Sequence, residues 1–203
     1  MTGPDRLPTD TDDGLLLVIS GPSGVGKTTI TRAVERAIPG AVFSVSVTTR
    51  QKTAKDVEGV DYHFVTDAEF DRLIAEDELL EWAEVFGRRY GTPRAWVAEQ
   101  LRRGRLVILE IDVKGARQIK QRIPDAFGLF ILPPSDEVLL QRLRARKRDT
   151  EEAIQQRFAE AQREIAEARD AGAYDAYVIN DDLDRAIEEA VRIVRARMAM
   201  QQP

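Results

Sequence analysis

The chain has no cysteine and a single histidine among its 203 residues. The absence of cysteine excludes disulfides and thiolate metal sites. No apolar run approaches the ~20 residues that a membrane-spanning helix needs. The first residues are polar and acidic, without the basic start and apolar stretch of a signal peptide. We therefore expect a cytoplasmic protein without membrane partners, and a disordered tail over residues 1–13.

Positive charge is also in short supply, because 35 acidic residues outweigh 30 basic ones and leave a net charge of −5. A general affinity for nucleic acid polymers is therefore not expected. The exception is residues 142–148, which hold five basic residues in seven positions. Taken alone, such a run indicates a solvated helix face.

Short buried apolar runs alternate with helical patterns along most of the chain. Strands are predicted at residues 15–20, 41–49, 105–112, 127–133 and 174–180. Helices are predicted directly after residue 27, over 93–103, 113–122 and 136–169, and at the end of the chain. The helix over 136–169 is expected to break near Thr150, a helix N-cap residue. This alternation favours an α/β fold with a mostly parallel sheet.

Residues 47–92 break the alternation, because they hold short strand-like pieces around a small helix. We interpret them as a small insertion carried on the core. The only histidine, His63, lies in one of these strand-like pieces, DYHFV. A partly exposed strand position is favoured there over a catalytic role.

A complete phosphate-binding motif follows the first predicted strand. Its G-x-x-x-x-G-K-[ST] pattern is met by Gly21, Pro22, Ser23, Gly24, Val25, Gly26, Lys27 and Thr28. The glycines let backbone N–H groups converge on phosphate oxygens, at the N-terminus of a helix. Lys27 is predicted to bridge the β- and γ-phosphates of ATP, and Thr28 to hold Mg²⁺. Glu110, at the end of the third strand, is a second predicted Mg²⁺ ligand.

Six motifs in order carry a specific resemblance: GPSGVGKTT, FSVSVTTR, GVDYHFV, EWAEVFGRRYGTP, LEIDVKGA and VINDDLD. Together they resemble guanylate kinase, the ATP:GMP phosphotransferase, over residues 15–190. The resemblance implies a P-loop NTPase fold, a three-layer α/β/α core with a parallel sheet at 14–46, 93–141 and 158–203. It implies a small mixed α+β GMP-binding insertion at 47–92 and a helical lid at 142–157. ATP, GMP and Mg²⁺ are the implied ligands, with the chain a monomer or homodimer.

The resemblance also assigns the acceptor side. Glu81 and Asp112 match the two guanine-binding acids, and Ser46 and Thr92 match its hydroxyl positions. Guanine presents N1–H and N2–H₂ donors to such carboxylates. Adenine would leave them unpaired, a mismatch that can reject a substrate by ~10⁴-fold. The family's contacts to the acceptor phosphate match Arg50, Tyr62 and Tyr90.

The basic run acquires a role through the same resemblance. Arg142 and Arg146 match the lid arginines and share a helix face because they are four residues apart. Arg157 matches a third arginine. With Lys27 and Arg50, these are the predicted catalytic residues. Closing Arg142 and Arg146 over ATP and GMP would neutralise the transferred group and exclude water. Asn180 matches the adenine-side loop of the ATP site.

One loop departs from the family pattern, in which T-T-R is followed by x-P-R-x-G-E. Thr53 stands where the second phosphate-binding arginine is expected, Lys52 and Lys55 replace the turn-forming proline and glycine, and Asp56 replaces glutamate. Lysine presents a point charge and cannot replace the planar, two-point contact of an arginine, although either lysine could reach the phosphate. We therefore expect weaker GMP binding or a somewhat altered acceptor. Lys147 stands where the family has glycine after the second lid arginine.

Two alternatives remain open at this point. One is a related P-loop kinase with a different nucleotide or a sugar phosphate as acceptor, which the altered loop allows and which intact Glu81 and Asp112 argue against. The other is a non-catalytic guanylate-kinase-like binding module, against which the intact Lys27 and Thr28 argue.

Overall fold

The computed structural model describes residues 14–85, 87–145 and 150–201. The strands are β1 (Leu16–Ser20), β2 (Val42–Phe43), β3 (Val47–Thr48), β4 (His63–Phe64), β5 (Leu79–Val85), β6 (Arg88–Pro93), β7 (Val107–Glu110), β8 (Phe127–Leu132) and β9 (Ala176–Ile179). The helices are α1 (Lys27–Ala37), α2 (Asp67–Ala75), α3 (Arg94–Arg102), α4 (Val113–Arg122), α5 (Asp136–Arg144), α6 (Glu151–Asp170) and α7 (Leu183–Ala199).

Five strands form a parallel sheet in the order β2-β7-β1-β8-β9. β1 lies at its centre, where Leu17 is in register with Ile108 of β7 and Phe127 of β8. Every residue of β1 is buried. This explains its unbroken apolar sequence, since a central parallel strand is covered on both faces.

Helices cover both faces of this sheet. Leu17 and Ile19 of β1 pack into a core with residues of α1 and α7. Leu16 and Val18 point to the opposite face and pack with residues of α3 and α4. The three-layer α/β/α architecture predicted from the sequence is therefore confirmed.

The loops that follow the parallel strands lie together at the carboxyl ends of those strands. The chain runs from β1 through α1 to β2 on one side, whereas β8 and β9 lie on the other. Crevices in open α/β sheets form beyond the carboxyl ends of the strands, where the strand order reverses. Ile19 pairs with Glu110 near the ends of β1 and β7, so the phosphate-binding loop and Glu110 meet at this edge.

A second, mixed sheet has the order β4-β3-β6-β5. It packs against α2, whose Phe70 is buried with Val47 and Leu79. The prediction of one strand over residues 41–49 was wrong. The hydrogen-bonding partner changes within it, from Ile108 of the parallel sheet at Ser44 to Arg89 of the mixed sheet at Thr49. The sequence of residues 41–49 has the same apolar pattern in both sheets, so it does not indicate this change of hydrogen-bonding partner.

The predicted break in the long charged helix is confirmed. α5 ends at Arg144 and α6 begins at Glu151. Thr150 caps α6, since its hydroxyl accepts a hydrogen bond from the backbone N–H of Ala153. The predicted tail at 1–13 lies outside the described residues, and the proposed boundaries of insertion and lid stay predictions.

Among the described residues, no helix is both long and apolar enough to cross a bilayer.

Candidate functional site

A cleft of about 400 Å³ lies at the carboxyl edge of the parallel sheet and faces the mixed sheet. The core lines it with Gly21, Ser23, Gly24, Gly26, Lys27, Thr28, Glu110 and Asp112. The mixed sheet and the segment leading into it contribute Ser46, Tyr62, Glu81 and Tyr90. The structure therefore brings the phosphate-binding loop and most predicted acceptor residues to one cavity.

The phosphate-binding loop has the backbone that its glycines predict. Gly24 and Gly26 have φ of 91° and 96°, a left-handed conformation that side chains disfavour. Gly26 is the N-cap of α1, so the positive end of that helix faces the cleft. Lys27 Nζ donates to the carbonyl oxygens of Gly21 at 2.5 Å and Pro22 at 3.1 Å. The ammonium group is thus held over the loop, where it complements a bound anion.

Asn180 supports this loop from below. It is buried, and its Nδ2 donates to the Val25 carbonyl at 2.7 Å. A Cβ added to Gly26 would lie 2.7 Å from the same Nδ2, so only glycine permits this approach. Arg142 of α5 donates through Nη2 to the Asn180 carbonyl at 2.9 Å. The structure therefore joins Arg142 and Asn180 beneath the loop, and their roles toward ATP stay predictions.

Glu81 is a carboxylate buried in the wall of the cleft. Glu81 is only 3% exposed. Its Oε1 accepts a 2.6 Å hydrogen bond from the hydroxyl of Thr92 on the neighbouring strand. Burial raises the pKa of Glu81 to about 7, against the effect of the Thr92 hydrogen bond and with a contribution from the charge of Asp112. This carboxyl is poised to change charge near neutral pH.

Asp112 lies at the start of α4 and caps it, since its Oδ1 accepts from the Gly115 N–H at 2.8 Å. Burial raises the pKa of Asp112 as well. A Cβ on Gly115 would lie 2.4 Å from Oε2 of Glu81. The missing side chain of Gly115 therefore lets Glu81 reach the cleft beside Asp112.

Gln118 fastens β5 to α4. Its Nε2 donates to the Trp82 carbonyl at 2.7 Å, and its Oε1 accepts from the Trp82 N–H at 3.3 Å. β5 is an edge strand of the mixed sheet, and the side-chain amide takes the place of a neighbouring strand. The sequence interpretation missed Gln118 and Gly115. The available signal was a glycine inside a predicted helix, where it costs ~1 kcal/mol relative to alanine.

The acceptor-phosphate candidates form an aromatic and cationic group. The rings of Tyr62 and Tyr90 meet edge to face with centroids 5.6 Å apart. The guanidinium of Arg50 lies 5.1 Å from the Tyr62 centroid. Burial raises the pKa of Tyr62, which keeps its phenol protonated as a hydrogen-bond donor. Arg50 also pairs with Asp56.

Thr28 and Glu110 form an oxygen pair at the other side of the cleft. The Thr28 hydroxyl donates to Glu110 Oε1 at 2.7 Å. A hydroxyl and a carboxylate oxygen are hard donors of the type that Mg²⁺ prefers. The two predicted metal ligands are therefore adjacent, as their roles require.

Glu164 of α6 also lines the cleft and was missed in the sequence. It is half-buried; burial raises its pKa to about 7, and the charge of Lys27 acts in the opposite direction. Arg157 is half-buried seven residues earlier on the same helix. Two turns of spacing place both on one face, which is the signal that could have identified Glu164.

The remaining sequence assignments have mixed outcomes. Arg146 and Lys147 lie outside the described residues. His63 is confirmed as an exposed strand residue, with its Nδ1 3.5 Å from Glu58. Lys52 Nζ lies 5.9 Å from the Phe64 ring centroid, and Lys55 is exposed.

Comparison with known proteins gives a consistent result. The family profile described as guanylate kinase matches residues 14–197. A guanylate kinase of Symbiobacterium thermophilum is 49% identical over 186 residues, which cover 92% of this chain and 87% of the relative. One of Gloeobacter violaceus is 50% identical over 179 residues, covering 88% and 86%. The crystal structure of guanylate kinase from Anaplasma phagocytophilum aligns with a TM-score of 0.73 and 33% identity, covering 92% of this chain and 87% of that one.

Glu81→Gln is expected to stabilise the protein in the absence of nucleotide at pH 8, because it removes a buried charge. The folded state raises the pKa of Glu81 from 4.5 to about 7 and so binds the proton more tightly than the unfolded chain. The ionised form therefore costs stability as pH rises above 4.5. The full cost above pH 7 corresponds to about 3 kcal/mol. Urea unfolding at pH 5 and pH 8 measures the difference.

Glu84→Gln is the matched control, since Glu84 is exposed on the same strand. It is expected to change the free energy of unfolding by no more than ~0.5 kcal/mol. A gain for Glu81→Gln of equal size at both pH values would contradict the buried-charge explanation.

Proposed function

Since the chain belongs to the guanylate kinase family, we propose that its cleft holds ATP on the phosphate-binding loop and GMP against the mixed sheet. The chain is a nucleoside monophosphate kinase that transfers the γ-phosphoryl group of ATP to GMP, giving ADP and GDP. The observation that carries this division is an intact phosphate-binding loop in the same cleft as Glu81 and Asp112. Neither a different acceptor nor a non-catalytic binding module is favoured by the comparisons.

On the acceptor side, Glu81 and Asp112 accept hydrogen bonds from the N1–H and N2–H₂ groups of guanine. Thr92 orients Glu81 by donating to it, which is supported by their 2.6 Å contact. Ser46 lines the same wall and contributes a hydroxyl. An adenine base presents an acceptor at N1, so it would leave the buried carboxylates unpaired.

Arg50, Tyr62 and Tyr90 bind the phosphate of GMP. The arginine supplies a planar fork and each phenol supplies one donor. The edge-to-face packing of the two tyrosines supports this role, because it fixes both hydroxyl groups on the wall of the cleft.

On the ATP side, the backbone N–H groups of residues 21–28 hold the phosphates and Lys27 neutralises the β- and γ-phosphates. Arg142, Arg146 and Arg157 add positive charge and exclude water when the lid closes. Asn180 supports the loop and contributes to the ATP side through its contact with Val25.

Thr28 and Glu110 are proposed to hold Mg²⁺, and their 2.7 Å contact supports a shared site for a hard cation. When bound, Mg²⁺ neutralises charge on the phosphates of ATP. Guanylate kinases generally act on ATP with Mg²⁺, so this assignment follows the family.

The reaction needs no strong base in this site. A phosphate oxygen of GMP arrives ionised and forms a bond to the γ-phosphorus, while the bond from that phosphorus to the bridging oxygen of ADP breaks. Phosphoryl transfer of this kind depends mostly on positioning and charge neutralisation. Lys27, Arg50 and the lid arginines supply both without accepting a proton.

ADP release from ATP, measured in parallel with GMP, dGMP, AMP, CMP and UMP, tests the proposal. Turnover is expected with GMP and dGMP. Lys27→Ala is expected to reduce turnover by at least ~10²-fold with every acceptor, because it removes a charge at the transferred group. Arg163→Ala is the control, since Arg163 is an exposed cation of α6. Equal or better turnover with a non-guanine acceptor would refute the assignment of Glu81 and Asp112.

Gly115→Ala tests the close approach of α4 to the guanine site. The added Cβ would displace Glu81, whose Oε2 lies 2.4 Å from its position. The KM for GMP is expected to rise about 10- to 100-fold, as a misplacement near 1 Å implies, while the KM for ATP stays within twofold.

Gly104→Ala is the control for the general cost of replacing a glycine. Gly104 has φ +70° and no atom within 4 Å of an added Cβ, so alanine strains the backbone without touching the cleft. This variant is expected to lose stability and keep the KM for GMP. An equal rise in both nucleotide KM values for Gly115→Ala would rule out a role confined to the acceptor site.

A further inference from the structure

The loop between β3 and β4 ties Arg50 to a carboxylate of the same loop. Nη2 of Arg50 donates to Oδ1 of Asp56 at 2.8 Å, and Nη1 donates to Oδ2 at 3.0 Å. The side chains are 27% and 15% exposed, so the pair is largely shielded from water. A two-point contact of this type fixes the plane of the guanidinium as well as its position.

Thr53 holds Asp56 from the other side. Its backbone N–H and its hydroxyl both donate to Oδ2 of Asp56, at 2.7 Å and 2.6 Å. The Asp56 N–H in turn donates to the Thr53 carbonyl at 3.1 Å. Hydrogen bonds from Arg50 first, and then from Thr53, lower the pKa of Asp56 well below its ordinary value, so the carboxylate is charged. Asp56 is therefore fixed before any nucleotide binds.

Arg50 keeps a second donor edge. Its guanidinium has five N–H donors in a planar arrangement. Asp56 takes one from each terminal nitrogen, and the Gln51 carbonyl accepts from Nη1 at 3.1 Å. In the part of the chain that the structure describes, Nε and the remaining Nη2 proton have no acceptor. These two protons form a side-on fork that matches two oxygens of a phosphate.

The guanidinium of Arg50 lies beside one wall of the cleft. The guanidinium carbon is 5.1 Å from the centroid of Tyr62, which lines the cleft, and 5.3 Å from that of Phe64. The two rings and Asp56 all lie next to the guanidinium. The side chain has therefore lost most of its rotamer freedom before binding, a cost that would otherwise reduce affinity.

We propose that Asp56 and Thr53 are positioning residues, which hold Arg50 by one edge so that its Nε and Nη2 edge binds the phosphate of GMP. This inference rests on the proposed function, because it takes GMP as the acceptor. Thr53 stands at the position where the family pattern has a second arginine. In this chain a hydroxyl that orients one arginine takes the place of a second cation.

The contacts of Asp56 favour positioning over competition. A carboxylate that competed with GMP would occupy the edge that the phosphate needs, and removing it would strengthen binding. Asp56 instead occupies the Nη1 and Nη2 edge. Both acids can then bind Arg50 at once, so removing Asp56 weakens the phosphate contact.

Asp56→Asn tests this directly, because it keeps the size of the side chain and removes its charge. The KM for GMP is expected to rise about tenfold, with kcat changing less and the KM for ATP within twofold. Guanosine, measured as a competitive inhibitor against GMP, carries the base without the phosphate. Its Ki is expected to be unchanged, since Arg50 does not touch the base.

Thr53→Val and Thr53→Ser form a matched pair for the second contact. Valine has the shape of threonine without the hydroxyl, and serine keeps the hydroxyl. The valine variant is expected to raise the KM for GMP about threefold, whereas the serine variant stays at the wild-type value. The effect is smaller than the full strength of a hydrogen bond to a charged group, because the Thr53 N–H and Arg50 still hold Asp56 in the valine variant. This pair carries the test by itself if Asp56→Asn does not fold.

Three results would overturn the inference. The first is an equal loss of GMP and guanosine binding in Asp56→Asn, which would show a general structural role for the loop. The second is a lower KM for GMP in Asp56→Asn or Thr53→Val, which would show competition. The third is an unchanged KM in both variants. Failure of the wild-type protein to release ADP with GMP would instead refute the proposed function, so the two failures are distinguishable.

Discussion

The buried carboxylate of Glu81 connects the mixed sheet to the core and sets the character of the acceptor site. It accepts from Thr92 within its own sheet and lies against Gly115 of α4. Its raised pKa means that ionisation is costly even though Thr92 donates to it. The low polarity that imposes this cost also strengthens hydrogen bonds formed there. The protein thus keeps an unfavourable group at the position proposed to bind the guanine base.

Helix α4 and the end of β7 connect the two proposed nucleotide sites. Glu110 ends β7, and Asp112 two residues later caps α4. The segment 110–112, between β7 and α4, therefore carries both a proposed metal ligand and a proposed guanine ligand. Gln118, farther along α4, holds the edge strand that bears Glu81. The spacing between donor and acceptor sites is therefore fixed by covalent geometry and one helix, which suits a reaction that depends on positioning.

The fold was predictable where a single segment carries the information. The unbroken apolar run of β1 and the contiguous phosphate-binding loop specify their own conformations, and Thr150 signals a helix start through local capping. Contacts between distant segments were not predictable in this way. The role of Gln118 became visible only when the fold placed Trp82 of β5 beside it, because nothing near Gln118 in sequence marks that partner. The prediction of one strand over 41–49 was wrong for the same reason, because the hydrogen-bond partners that divide it lie elsewhere in the chain.

In the altered loop after β3, charge and orientation are expected to contribute separately to the proposed phosphate binding. A second arginine adds attraction, which acts over distance and weakens with salt. The Thr53–Asp56 pair adds no net cation, and Asp56 offsets part of the charge on Arg50. Its contribution is to lower the entropy lost when Arg50 becomes ordered on binding. The weaker GMP binding expected from the missing arginine is therefore opposed, because preorganisation acts on the same equilibrium. Since a fixed fork also tolerates displaced phosphates poorly, the proposed role of this loop matches an acceptor whose base is held in place, as proposed for Glu81 and Asp112.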